Sequence, residues 1–281
     1  MRILNLRIPP FIMVLIIMFL LITLFTSLSP LLFPIDLGAT DLGARLIPPS
    51  FLDGGKPQNF LGTDHLVRDF MIRLFYGTKN SLLVALGSLL IATFVGTVLG
   101  VLAGLYKGPF DTIVSFFTDV KLSVPSIIIA IVCAAVFGSG KWILVLIIGL
   151  TGYPTFTRLV RGQTIQLKEA NFMECSRALG ASKMRILFEH VFTNISSPLI
   201  VHATMRFSSF ILLESSLSFL GIGIQPPDVS LGLLVSAGRN YLINSWWLSI
   251  APSVVIVVIV VLVSLIGDWL RDVLDPKYKN S

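Results

Sequence analysis

The chain is short of charge. Only 13% of its 281 residues are Asp, Glu, Lys or Arg, against about 25% in an ordinary soluble domain. Too few charges remain to coat a water-soluble globule, and 54% of the residues are apolar. A soluble enzyme, a disordered chain and a free nucleic-acid binder are therefore excluded. Cysteine is scarce as well. There are two, Cys133 in an apolar run and Cys175 in a polar one, so no disulfide scaffold is expected. The three histidines, His65, His190 and His202, stand far apart, so no metal site is expected. No G-x-x-x-x-G-K-[ST] run occurs, so the chain by itself is not expected to bind or hydrolyse ATP.

What is present is apolar sequence in long runs, with a mean hydropathy of +0.88. A membrane-spanning helix needs about 20 apolar residues. Six stretches qualify, at about Phe11–Leu28, Ser81–Leu105, Leu122–Phe137, Trp142–Leu159, Ser197–Leu220 and Trp246–Gly267. The fifth carries His202, Arg206 and Glu214. The first reads as a span rather than a cleaved signal, because Pro30 follows Ser29 at the one plausible cleavage position. The fold class expected is an all-α integral membrane protein with six transmembrane helices.

The net charge of +6 fits basic loops facing anionic lipid better than it fits nucleic acid. With the N-terminus inside, the inner segments hold twelve Lys and Arg and the outer segments seven. Both termini are therefore expected on the cytoplasmic side. Residues 1–80 divide off as the first helix plus a long outer segment broken by Pro34, Pro48, Pro49 and Pro57. Residues 81–281 form the five-helix core. Within the outer segment, Asp64–Tyr76 reads as an amphipathic interfacial helix. Leu231–Val235 is an apolar patch able to dip into the bilayer, with Trp246 and Trp247 as interfacial anchors. Pro125 and Pro154 are expected to kink their spans.

The inner segment at about 160–195 holds most of the polar chemistry. Thr164–Leu179 reads as a helix, Gly180 as a left-handed stop, and Ser182 as the cap of a second helix. Such a two-helix knob either docks in a partner's groove or lies on lipid headgroups; spacing alone leaves both open. In the second span, Gly96, Gly100 and Gly104 recur every four residues and make a helix-packing face. In the fifth, Arg206 and Glu214 lie about 12 Å apart along the helix and near one face. They either line a polar path or pair between helices.

Three blocks resemble a known family. Glu174-Cys175-Ser176 followed by Gly180 resembles the cytoplasmic "EAA" loop of bacterial ABC importer permeases, departing from it at both alanines and at Val191-Phe192-Thr193. Leu61–Asp69 with Arg73 and Tyr76-Gly77 resembles the block before the second span in OppC/DppC-type dipeptide, oligopeptide and nickel permeases. That block usually has Gly where Val67 stands. Glu214–Pro227 resembles the block at the end of their fifth span, and Asp275-Pro276 fits their ending.

The resemblance covers residues 60–280. It implies a multi-pass permease in a bacterial inner membrane, forming half of a translocation pathway for peptides, or alternatively for nickel or a metal chelate. It implies a second related permease, two cytoplasmic ATPases holding ATP and Mg, and an extracytoplasmic substrate-binding protein. Glu174, Cys175, Ser176, Leu179, Gly180 and Ser182 would then couple to the ATPases. The rivals are an intramembrane hydrolase, with Ser208, Ser209 and His202 as its candidates, and a stand-alone transporter.

Overall fold

The computed structural model describes residues 8–32, 45–170, 176, 182 and 185–274. The described residues are helical apart from turns and one isolated bridge between Thr63 and Asp69. The helices are α1 (Pro10–Leu32), α2 (Phe70–Leu105), α3 (Pro109–Ser123), α4 (Ser126–Phe137), α5 (Lys141–Lys168), α6 (Thr193–Phe219), α7 (Leu231–Gly238) and α8 (Trp247–Leu274). Four of them, α1, α2, α5 and α8, are long and apolar enough to cross a membrane, and the bent pair α3–α4 makes a fifth candidate. The 27-residue α6 is longer than most but carries Arg206 and Glu214.

The apolar core lies where α2, α5, α6, α7 and α8 meet. Val84, Ala85 and Ala92 of α2 are sealed against Leu144, Ile148 and Phe156 of α5. Phe210, Ile211 and Leu217 of α6, Leu231 and Leu234 of α7, and Ile259 of α8 complete it. Helix α1 leans on the outside of this bundle through Ile12 and Leu15 against Leu262, and Phe19 meets the Phe207 ring edge-on at 6.4 Å.

Three expectations are corrected. The third span, expected over Leu122–Phe137 with a kink at Pro125, is broken there rather than kinked. It is two helices bent by 94°. Pro125 disfavours the helical conformation at the residue before it, and Val124 is extended at φ −106°, ψ 130°. Asp64–Tyr76 is not an interfacial helix. Residues 64–69 turn on themselves, and the helix that starts at Phe70 is the first part of α2, capped by Asp69 accepting from the Ile72 amide at 3.0 Å. The helix entering the inner segment stops at Lys168 and does not run to Leu179. Beyond Ser182, a π-helical stretch, Ile186–Phe192, runs directly into α6.

The tryptophan pair is corrected too. Trp246 is 40% exposed, but Trp247 is 6% exposed and belongs to the core. Helix α7 buries Leu231, Gly232, Leu234 and Gly238 against its neighbours. Pro154 lies inside the unbroken α5.

The outer segment from residue 45 onward is ordered by its backbone. Thr63 donates to Ile47 and Phe70 to Gly62, at 3.0 and 3.1 Å. At its centre Asp64, 2% exposed, accepts from the Leu66 and Arg68 amides at 2.8 and 2.9 Å. The Arg68 and Arg73 guanidiniums close on the same carboxylate.

Candidate functional site

Glu214 is the most enclosed charge-bearing side chain in the bundle, at 0% exposed. No cation among the described residues reaches it. Ser218, one turn later on α6, donates to Oε1 at 2.8 Å, and Ser215 to Oε2 at 3.4 Å. Ser81 of α2 and Ser230, the N-cap of α7, lie beside the same carboxyl. The same hydroxyls accept from the backbone. Ser81 takes the Leu231 amide at 3.1 Å, Ser218 the Ile224 amide at 3.2 Å, and Ser230 the Leu233 amide at 3.3 Å. Four serines therefore bracket one carboxyl and tie α2, α6, α7 and the 220–230 connection together. Beside them Asn80 donates to the Val229 carbonyl at 2.7 Å.

Arg206, two turns earlier on the same helix, has a different setting. It lines a recess of about 220 Å³ with Ser126, Thr151, Gly152, Ser209, Phe210 and Leu213. Its guanidinium lies 5.6 Å from the Phe210 ring centroid, a cation–π contact. Arg206 and Glu214 thus do not pair and do not share a cavity.

The exposed stripes of the long helices also differ. On α2 the stripe is Leu86, Leu90, Phe94, Val98 and Leu102, and on α8 it is Ile250, Val254, Val257, Val261 and Leu265. Both suit lipid tails. On α6 the stripe is Met205, Ser209, Leu212 and Leu220, with Ser216 half-buried among them. Hydroxyls alternate with apolar groups there, beside the Arg206 recess.

The three glycines of α2 face α5. A Cβ on Gly96 would strike Phe156. One on Gly100 would lie 2.8 Å from the Thr157 carbonyl oxygen, and one on Gly104 would lie 2.6 Å from Thr164 Cβ. The face serves packing within the chain. Of the hydrolase candidates, Ser208 bonds to Ser264 Oγ at 3.2 Å and to the Val260 carbonyl at 3.3 Å. His202 packs edge-on against Phe156 at 4.8 Å. The two make no nucleophile–base pair.

The inner segment leaves the bundle from a braced base. Lys168 donates to the Leu105 carbonyl at the end of α2 at 2.7 Å. Lys107 pairs with Glu169 at 2.9 Å and holds that exposed carboxyl below its ordinary value. Arg161 grips Asp111 with two nitrogens, one at 2.8 Å. On the return side, Ser182 Oγ accepts the Arg185 amide at 3.2 Å, the geometry of a helix cap. Ser176 Oγ lies 3.2 Å from His190 Nε2. Glu174, Cys175, Leu179 and Gly180 lie outside the described residues.

A family model described as "Binding-protein-dependent transport system inner membrane component" matches residues 96–280. The chain belongs to this family. Among similar proteins, the di/tripeptide transport system permease protein DppC of Pseudomonas aeruginosa is 37% identical over 265 residues, covering 94% of this chain and 88% of that protein. The dipeptide permease DppC of Haemophilus influenzae is 35% identical over 261 residues, covering 93% and 88%. The glutathione permease GsiD of Pectobacterium atrosepticum is 38% identical over 228 residues, covering 81% and 76%. In fold, the chain is similar to one from an inward-facing structure of the MetNI methionine ABC transporter. The TM-score is 0.59 at 21% identity, over 73% of this chain and 97% of that one.

In this permease, sequence reasoning missed the serines around Glu214. Ser218 was legible as an i, i+4 partner. Ser81 and Ser230 were not, since they arrive from other helices. It also missed the Lys121–Ser126 contact of 2.8 Å across the α3–α4 elbow. Where OppC/DppC-type permeases usually have Gly, Val67 sits at φ +67°, a left-handed conformation that glycine adopts freely and a β-branched residue rarely does.

Proposed function

We propose that this permease is one of two membrane-embedded halves of an ATP-driven importer, and that it passes peptides. The observation that carries this reading is the 37% identity to a di/tripeptide permease along 94% of the chain. The six spans would be α1, α2, the α3–α4 elbow, α5, α6 and α8, with both termini cytoplasmic by the excess of basic residues on that side. The hydroxyl-bearing face of α6 supports its assignment as the lining of the path, because lipid offers those hydroxyls nothing.

The segment between Glu169 and Ser182, with Glu174, Cys175, Leu179 and Gly180, would seat in an ATPase subunit. The contacts Lys107–Glu169, Arg161–Asp111 and Lys168–Leu105 bind its root to α2, α3 and α5. A push on the segment would then tilt helices rather than bend a loop. ATP and Mg would sit on the partner subunits, and an extracytoplasmic binding protein would deliver substrate.

The test is purification from native membranes in mild detergent, with co-purifying proteins identified by mass, followed by reconstitution. The expected result is a second permease with one or two ATPases, and ATP-dependent uptake of dialanine once the binding protein is added. Recovery of the chain alone with uptake intact would overturn the reading.

A further inference from the structure

Two basic side chains, Arg206 and Lys121, lie by the α3–α4 elbow without a counter-ion among the described residues. Arg206 makes no hydrogen bond or ion pair with any described residue, and its Nε is buried. Lys121 touches only the Ser126 hydroxyl, and the charge acting on it is the like charge of Arg206. His202, one turn before Arg206, has its Nε2 buried without a partner among the described residues, and the charge acting on it is again Arg206. The acids close in sequence are engaged elsewhere. Asp119 pairs with Arg158 at 2.6 Å, and Glu214 is closed in by its serines. Uncompensated positive charge at membrane depth is costly and marks a path or a ligand.

The recess beside Arg206 is built for an anion. Ser126, Thr151 and Ser209 bring hydroxyls to its wall. Ser126 is the first residue of α4, a helix whose N-cap, Pro125, supplies no side-chain bond. The positive end of that helix is thus left for another acceptor. Gly152 leaves the space in which the Phe210 ring lies, and the ring carries the guanidinium on its face.

We propose that this recess is a substrate subsite that receives the C-terminal carboxylate of a peptide on its way along α6. It rests on the peptide reading above. Arg206 offers the two-pronged donor geometry that fits a carboxylate. Lys121, through Ser126, adds positive potential, and the N-terminal end of α4 adds its dipole. The volume of about 220 Å³ suits a terminal carboxylate with its last residue, not a whole peptide. A recess that is open on one side also releases its guest, as a transport path requires.

The test uses the complete importer in proteoliposomes, with labelled dialanine and its C-terminal amide each supplied at a concentration that saturates the binding protein. Wild type should prefer the acid. Arg206→Gln should lower dialanine uptake about tenfold and leave amide uptake unchanged, so that the preference collapses. Arg206→Lys should keep most of it. Stimulation of ATP hydrolysis by the binding protein should persist in both variants, which separates a lost subsite from a lost assembly. Equal effects of Arg206→Gln on acid and amide, or no effect on either, would overturn the subsite while leaving the peptide reading standing. A wild-type complex that takes up neither probe would overturn both.

Discussion

The Ser218 hydroxyl donates to Glu214 Oε1 at 2.8 Å and accepts the Ile224 amide at 3.2 Å. One side chain thus joins a carboxyl buried in the bundle to the connection that leaves α6. Ser218→Ala breaks both bonds without changing bulk. It should lower stability by about 1–2 kcal/mol, the upper range for a hydrogen bond within a membrane bundle. Thermal unfolding of the detergent-solubilised permease reads this. Ser216→Ala is the control, because half-buried Ser216 bonds, among the described residues, to its own helix at Leu212. An equal loss in both variants would show that the serine bracket adds nothing.

The close approach of α2 to α5 predicts a contrast between two glycines. Gly96→Ala drives a methyl into Phe156 and should cost roughly 1–3 kcal/mol. Gly162→Ala, on α5 with nothing within 4 Å, should be neutral or stabilising by about 0.5–1 kcal/mol. Melting curves of the two variants side by side decide it.

Val67 at φ +67° predicts a stabilising substitution. Val67→Gly relieves a conformation that costs an L-residue about 1–2 kcal/mol, less the extra freedom glycine gives the unfolded chain. The net gain should be about 1 kcal/mol. It should appear as slower proteolysis of the 45–69 segment and a higher melting temperature. Val67→Ala should gain little, since alanine keeps the Cβ that causes the strain.

Acid should loosen the outer segment in two stages. Burial lowers the pKa of His65, stacked at 5.7 Å on Tyr241, from 6.5, against the pull of Asp64 and with the help of the Arg68, Arg73 and Arg45 charges. Its neutral form is favoured by folding, so the stability it adds is present above pH 6.5 and is lost as pH falls through the lowered value. Burial pushes Asp64 up, but the Arg68 amide, the Arg73 and Arg68 guanidiniums and the Leu66 amide outweigh it and hold the carboxyl below 3.8. That contribution is present above 3.8 and is lost as pH falls further. Hydrogen exchange of residues 45–69 against pH should show both stages. His65→Phe should remove the first and keep the second.

Much of the candidate site was legible, but unevenly. The three glycines were readable as a packing face because a four-residue repeat is a property of one helix. Their partner, α5, was not readable. The Asp64–Asp69 block was visible as a motif yet misread as a helix. Its polar pattern suits an amphipathic turn of helix, and only the collapse of Arg68 and Arg73 onto Asp64 shows otherwise. The elbow at Val124-Pro125 was expected as a kink and is a 94° break; proline predicts that the ladder is interrupted, while the packing around it sets the angle.

By itself the sequence determined that this chain lives in a membrane, roughly where its helices run, and which permease family it belongs to. Hydropathy, helical period and motif order are all written within single stretches of chain. Only the tertiary structure decided that Glu214 and Arg206, eight residues apart on one helix, have opposite fates. Glu214 is closed in because Ser81 and Ser230 come to it from α2 and α7. Arg206 is left facing a recess because no acid comes to it from α3, α4 or α5. A side chain's partners across a bundle depend on which helices meet and at what rotation, and no local pattern carries that information.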